Sequence, residues 1–293
     1  MGSQRIDFRE QISRNKLNSF FLMSIVFAVF VLFGYVISMA FEPGFFFIIM
    51  IISIIFSIGY ILISYYNSDK IAVASVGAKQ ADRTQYKQYY SLVEGLTIAS
   101  GLPMPRLYVM NSPQINAFAS GRDPRHAVVC VTTGALEKLE KKELEGVLAH
   151  ELSHIGNYDI RYMTLVAVMV GMIAIISEIF LRSLWMRGGG DDNKGNVIFI
   201  VIGIVLAILA PIVVQLVQLG ISRKREYAAD ASAVEFTRYP QGLAGALKKI
   251  QNSFVPEKKI SKAVAPLFFA NPFKELGSTH PAIEKRISIL ERM

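Results

Sequence analysis

Two long stretches without charge constrain this chain more than any other feature. Residues 17–41, between Lys16 and Glu42, and residues 43–68, between Glu42 and Asp69, contain no Asp, Glu, Lys or Arg and are rich in Phe, Ile, Val and Leu. A helix of about 20 apolar residues crosses the hydrocarbon core of a bilayer. In lipid the backbone must satisfy its own hydrogen bonds, which a helix does without partners. Each stretch is therefore expected to be a spanning helix. A third apolar stretch runs from about Tyr162 to Leu181, interrupted only by Glu178, and a fourth from about Val197 to Ser222, so four spans in two hairpins are expected. The 52% hydrophobic content and the mean hydropathy of +0.39 agree with this. The first stretch exceeds the apolar region of a secretory signal and no small-residue cleavage site follows it, which makes it an uncleaved anchor.

Orientation follows from the basic residues. Arg5, Arg9, Arg14 and Lys16 precede the first stretch, whereas only Glu42-Pro43-Gly44 links it to the second. By the positive-inside rule both termini lie in the cytoplasm, with the loop Arg187–Asp192 outside. Most of the remaining Lys and Arg fall between Lys70 and Arg161 and after Arg223, on the same side. The net charge of +8 is then explained by anionic lipid as partner, with no nucleic acid needed. Cys130 is alone and follows Ala127-Val128-Val129, so it belongs to a buried strand rather than a disulfide.

The chemistry is concentrated in His150-Glu151-Leu152-Ser153-His154. On a helix this spacing puts two imidazoles on one face at i and i+4, with a carboxylate beside them. The residues leading in, Glu143, Leu144, Val147, Leu148 and Ala149, have helical spacing. Zinc takes neutral imidazole nitrogens, and a catalytic zinc site adds a third protein ligand and leaves one position open. Glu226 is the expected third ligand, with Asp230 four residues on to receive a hydrogen bond from the far nitrogen of a ligand histidine. A solvated acidic pair flanked by Arg223 and Arg225 is the other reading of these two residues. Ala228, Ala229, Ala231 and Ala233 suit a helix that approaches the histidine helix closely. An apolar hairpin separates His154 from Glu226, so both emerge on one face of the membrane. If the histidine helix continues into the third span, the metal sits about 12 Å from the apolar region.

These motifs, in this order, resemble the HtpX family of membrane zinc metallopeptidases. Further matches are Asn116–Gly121, Gly121–Val129, Ser278-Thr279-His280-Pro281 and Arg286-Ile287, so the resemblance runs almost end to end. It implies one Zn2+ per chain and a mainly α integral membrane protein, with four transmembrane helices and a cytosolic α+β peptidase domain containing a small sheet. It also implies an endopeptidase of the prokaryotic cytoplasmic membrane that clears misfolded or damaged membrane proteins under stress. The CAAX prenyl proteases, a related branch, have longer chains with more spans. The expected organisation is an anchor hairpin at 1–66, the two halves of the peptidase domain at 67–161 and 223–293, and the second hairpin at 162–222.

Within this frame Glu151 is the general base. Asn116-Ala117-Phe118-Ala119 reads as an extended segment beside the strands 107–110 and 127–131, an edge that either pairs with substrate backbone or is covered. His280, by the resemblance, is a candidate oxyanion contact, and Arg286 and Tyr227 are candidates for the same role or for support of the site. His126 reads as structural and Asp159 as the end of the metal helix. The apolar segment 263–273 reads as a buried loop or a lid. A non-proteolytic alternative is a membrane zinc sensor or transporter, but transport sites usually lie within the spans, and Glu151 would have no purpose there.

Overall fold

The computed structural model describes residues 8–38, 43–167, 203, 223–253, 267–270 and 281–293. Helix α1 (Phe8–Ser38) and helix α2 (Phe46–Tyr66) form the first hairpin. They hold candidate membrane spans at Ile12–Leu32 and Phe46–Tyr66. Phe30 of α1 meets Phe56 and Tyr60 of α2 edge-on, with ring centroids 5.6 and 5.5 Å apart. Gly34 faces Ser53 so closely that a methyl group there would collide with the serine side chain, a small-residue approach typical of helices in lipid. The hydroxyls of Ser53 and Ser57 donate to Ile49 O (2.8 Å) and Ser53 O (2.6 Å) on their own helix, so neither is left an unsatisfied donor. Phe47 and Ile55 are 73% and 65% exposed, the outward apolar face that a bilayer would cover. Of the third apolar stretch, residues 162–167 are described; they are helical and pack on Leu22 of α1 through Tyr162, Leu165 and Val166. The rest of that stretch, and the fourth apart from residue 203, lie outside the described residues.

Helix α3 (Ser68–Ser75) leads to strand β1 (Lys79–Gln80), helix α4 (Lys87–Ser100), strands β2 (Arg106–Met110), β3 (Ala117–Gly121) and β4 (Ala127–Thr132), and helices α5 (Thr133–Lys138) and α6 (Lys141–Gly156). The sheet order is β1-β2-β4-β3, with β2 and β4 parallel and the other pairs antiparallel. Strand side chains alternate between faces. Ala117, Ala119, Val129 and Val131 join the core formed with α4 and α6. Phe118, Cys130 and Met110 point the other way, against Met163, Ala167 and Phe268. Cys130 is therefore a packing residue, and burial pushes its thiol pKa up.

The N-terminus of α6 is secured by a capping box, in which Glu140 N–H donates to Glu143 Oε2 at 2.7 Å. Two helices then cover α6: α7 (Arg223–Thr237), whose Ala228, Ala229 and Ala233 are buried, and α8 (Pro240–Asn252). At Gly146 an added Cβ would lie 2.7 Å from Leu243 N, so α6 and α8 touch backbone to backbone one turn before His150. The C-terminal helix α9 (Ile283–Leu290) packs its Ile287 and Leu290 into the same core.

The helix bearing His154 does not continue into the third apolar stretch. It ends at Gly156, turns through Asn157 and Tyr158, and a new helical stretch occupies 159–167. Tyr158 adopts a left-handed φ of 60°. This conformation costs a non-glycine residue about 1–2 kcal/mol. Cation–π contacts help to offset the cost, with Lys16 Nζ 4.5 Å and Arg161 Cζ 5.2 Å from the ring.

Candidate metal centre

His150 and His154 lie one turn apart on α6, and Glu226 comes from the first turn of α7; all three are buried. Their donor atoms converge: His150 Nε2 is 3.1 Å from His154 Nε2, and Glu226 Oε2 and Oε1 lie 3.5 and 3.6 Å from those two nitrogens. Ligands about 2.0–2.1 Å from a tetrahedral zinc lie about 3.3 Å from one another, so this spacing fits the ion. The charge fits as well, since two imidazoles and one carboxylate present a single negative charge to a dication. Among the described residues, this is the one group of three or more His, Cys, Asp or Glu side chains close enough to share a metal.

With both Nε2 atoms facing inward, both Nδ1 atoms are held from behind. His150 Nδ1 is 3.0 Å from Asp230 Oδ1, and His154 Nδ1 is 3.0 Å from Asp159 Oδ2. Carboxylates in these positions fix the tautomer that leaves Nε2 free to bind a metal. Asp230 is in turn gripped by Arg286, whose Nε and Nη2 donate to its two oxygens at 2.8 and 2.6 Å. Arg286 is 1% exposed and its guanidinium lies 4.7 Å from the Phe269 ring. Burial alone would push Asp230 up, but Arg286 and the hydrogen bond to His150 hold it below the usual carboxylate range.

Asp159 is the member that sequence reasoning placed wrongly. It was expected to close the metal helix, yet it orients His154. The left-handed Tyr158 brings the chain back far enough for this, a backbone state that nothing in the residue pattern announces. Asp159 also receives Asn15 Nδ2 at 2.6 Å, and the same amide donates to Asn157 O at 3.0 Å. A buried side chain of α1 thus reaches the metal centre in two steps, Asn15 to Asp159 to His154. Replacing Asn15 with leucine is expected to weaken zinc affinity about tenfold while the chain stays folded, measured by release to a colorimetric chelator. Unchanged affinity would sever α1 from the site.

Glu151 is buried beside the ligands, and its Oε1 has no hydrogen-bond partner among the described residues. The N–H of Ala119 on β3 donates to its carboxylate. Burial raises its pKa above the usual glutamate value, and the flanking His150 and His154 only partly reverse this. A carboxylate of raised basicity, with an unfilled acceptor atom next to a metal cage, suits proton transfer from water. For His154, burial opposes the charged form, but the hydrogen bond to Asp159 and the charge of Glu226 outweigh it and set the pKa at about 9. A ligating imidazole must be neutral, so cation uptake at pH 7 displaces a proton. Apparent zinc affinity is expected to rise about tenfold per pH unit from 7 toward 9 through this ligand and then flatten. Calorimetric titration in buffers of different ionisation heat reads both effects.

The remaining expected residues are arranged as follows. Asn116, Ala117, Phe118 and Ala119 lie in or just before β3, the sheet edge that runs past Glu151. That edge is covered by the chain itself: Phe118 pairs with Phe268, and Phe269 N–H donates to Ala117 O at 2.8 Å. Asn116 makes two bonds to Ala270, its Nδ2 donating to the carbonyl at 2.8 Å and its Oδ1 accepting the N–H at 3.1 Å. Phe269 also packs edge-on against His150, with centroids 4.8 Å apart. Tyr227 is half-buried, one residue after Glu226. His126 is exposed and bonded to Asp123. His280 lies outside the described residues.

Comparison with known proteins gives a consistent result. Residues 83–293 match peptidase family M48. A Protease HtpX homolog from Caldanaerobacter subterraneus subsp. tengcongensis is 48% identical over 248 residues, 82% of this chain and 83% of that one. A Protease HtpX homolog from Dictyoglomus thermophilum is 43% identical over 290 residues, 98% of this chain and 95% of that one. Among solved structures, S. mikatae Ste24p superposes with a TM-score of 0.50 at 18% identity, covering 96% of this chain and 67% of that one, a likeness of fold.

Proposed function

The chain belongs to the HtpX group of peptidase family M48 and is a membrane metalloprotease; from that premise we propose that it is a zinc endopeptidase that degrades unfolded membrane proteins at the cytoplasmic surface. The observation that supports this most is the convergence of His150, His154 and Glu226, each imidazole held by its own carboxylate, around a site that also contains the buried Glu151. The same geometry tells against a reversible zinc sensor, in which Glu151 would be a buried carboxylate without a task.

His150, His154 and Glu226 would hold the zinc ion, which would supply polarisation of the scissile carbonyl and a lowered pKa for water. Glu151 takes the proton from the attacking water and carries it to the leaving amine, for which its raised basicity is suited. Asp230 and Asp159 keep the imidazoles in register, and Arg286 keeps Asp230 charged and in place. With Nε and Nη2 bonded to Asp230 and Nη1 3.8 Å from Glu226 Oε2, Arg286 acts as support for the site rather than as an oxyanion contact. His280 and Tyr227 remain our candidates for that contact.

Substrate is held along β3. The Ala117 carbonyl and the Ala119 N–H face the edge that β-augmentation uses, and they are taken by Phe269 N–H and Glu151. An incoming peptide therefore displaces residues 267–270 and takes over their backbone bonds. Recognition through backbone suits unfolded chains of any sequence. The reading includes four spans, both termini in the cytoplasm, and a peptidase domain split by the second hairpin, as the charge distribution suggests.

The test is incubation of the detergent-purified chain with unfolded casein, with zinc and with chelator. Cleavage at many unrelated sequences, abolished by chelator and restored by zinc, is expected. Strict dependence on one side chain would overturn the backbone-pairing part, and chelator-resistant cleavage would overturn the zinc part.

A further inference from the structure

A cleft of about 730 Å3 borders the turn at Tyr158, lined by Lys16, Asp123, Arg125, His126, Tyr158 and Arg161 among others. Lys16 follows Asn15 and Tyr158 precedes Asp159, so the cleft backs onto the bonds that hold His154. Three side chains bring permanent positive charge and one brings negative charge. The negative one is engaged: Asp123 Oδ1 accepts Arg125 N–H, His126 N–H and the His126 ring at 2.9, 3.0 and 2.8 Å. Arg161 is fixed by its Nε bond to Arg122 O at 2.6 Å, and Lys16 and Arg161 both rest on the Tyr158 ring.

The position of the cleft along the membrane normal can be read from the chain. Lys16 is the last charge before the apolar run 17–41, and Arg161 is the last before the apolar stretch that begins at 162. Tyr65 and Tyr66 end α2 at the same level: Arg161 lies 5.7 Å from the Tyr65 ring and Arg122 5.1 Å from the Tyr66 ring. Tyrosine and basic residues at the ends of spans mark the headgroup layer. Phe20, on the same face of α1 as Lys16 and one turn further along the apolar run, is 64% exposed. A cationic cleft therefore continues into an apolar helix face, the profile of a phosphate-bearing headgroup with acyl chains attached.

We propose that this cleft binds the headgroup of an anionic phospholipid, its phosphate between Lys16, Arg125 and Arg161. The proposal stands apart from the catalytic reading, because its test reads lipid retention and not cleavage. In the experiment, the full chain in detergent is titrated with phosphatidylglycerol or phosphatidylcholine of the same acyl chains, and bound lipid is counted by native mass spectrometry. Wild type is expected to prefer phosphatidylglycerol. A cation near an anionic surface contributes about fivefold in affinity, so Lys16→Gln should reduce the preference about fivefold and Lys16→Gln with Arg125→Gln about 25-fold. Lys16→Arg, which keeps the charge, and the remote pair Lys87→Gln with Lys141→Gln should retain it. Equal retention of the two lipids by wild type, or equal losses in the remote pair and the cleft pair, would overturn the proposal. So would displacement of phosphatidylglycerol by inorganic phosphate alone, which would assign the cleft to a soluble anion.

Discussion

Glu151→Gln keeps its metal and loses between two and four orders of magnitude in kcat, the range expected when a positioned general base is removed. The substitution preserves shape and leaves His150, His154 and Glu226 untouched, so metal content per chain should match wild type. The buried position strengthens the expectation. Glu151 sits between the sheet edge and the ligand pair, hydrogen-bonded by the Ala119 N–H and with its Oε1 unfilled among the described residues. Glutamine can still accept the Ala119 N–H, so the variant should fold and unfold like wild type. Casein turnover and zinc content, measured on one preparation, decide the point. Turnover near the wild-type rate would remove Glu151 from the chemistry.

Arg286→Met produces the largest expected loss of stability. The guanidinium is 1% exposed and bonds both oxygens of Asp230, itself 1% exposed, so its removal leaves a buried carboxylate without its cation. Breaking one side of a buried ion pair costs about 3–5 kcal/mol. That is a large fraction of the roughly 5–15 kcal/mol that holds a domain together. The double variant Arg286→Met with Asp230→Leu removes both charges, so it should recover much of the stability. It should not recover zinc affinity, because His150 has lost the acceptor for its Nδ1. Urea unfolding in detergent and zinc titration separate the two effects. A double variant as unstable as the single one would mean that Arg286 acts through packing against Phe269 rather than through charge.

What was legible in the sequence follows a physical division. The α6 ligands have a helical period, and their spacing alone puts both imidazoles on one face. Glu226 and Asp230 have the same period on α7, and the structure puts Asp230 Oδ1 3.0 Å from His150 Nδ1. The strands expected at 107–110 and 127–131 are found at 106–110 and 127–132, short apolar runs, and the terminal helix falls at 283–290, where helical spacing put it. Arg286 was named as a supporting candidate, but its partner was not, because a pairing between α7 and α9 is a long-range contact without local pattern.

Asp159 was missed for a different reason. An aspartate five residues after a histidine on a continuous helix would point away from it, and only the left-handed Tyr158 turns it back. Asn15 was hidden by its setting, a single amide at the entrance of an apolar run. The cover on β3 was left open between a free edge and a closed one. The structure closes it with residues 267–270: Phe268 packs on Phe118 on the far face of the sheet, and Phe269 packs against His150.

The central claim is that one zinc ion is held by two imidazoles of α6 and one carboxylate of α7. X-ray absorption at the zinc edge on purified wild-type chain tests it most directly, with metal content measured on the same sample. One zinc per chain, with two nitrogen neighbours and carboxylate oxygen at about 2.0–2.2 Å, is the predicted result, and Glu226→Ala should lose the carboxylate contribution. A chain without metal, or a zinc shell unaltered by Glu226→Ala, would contradict the account.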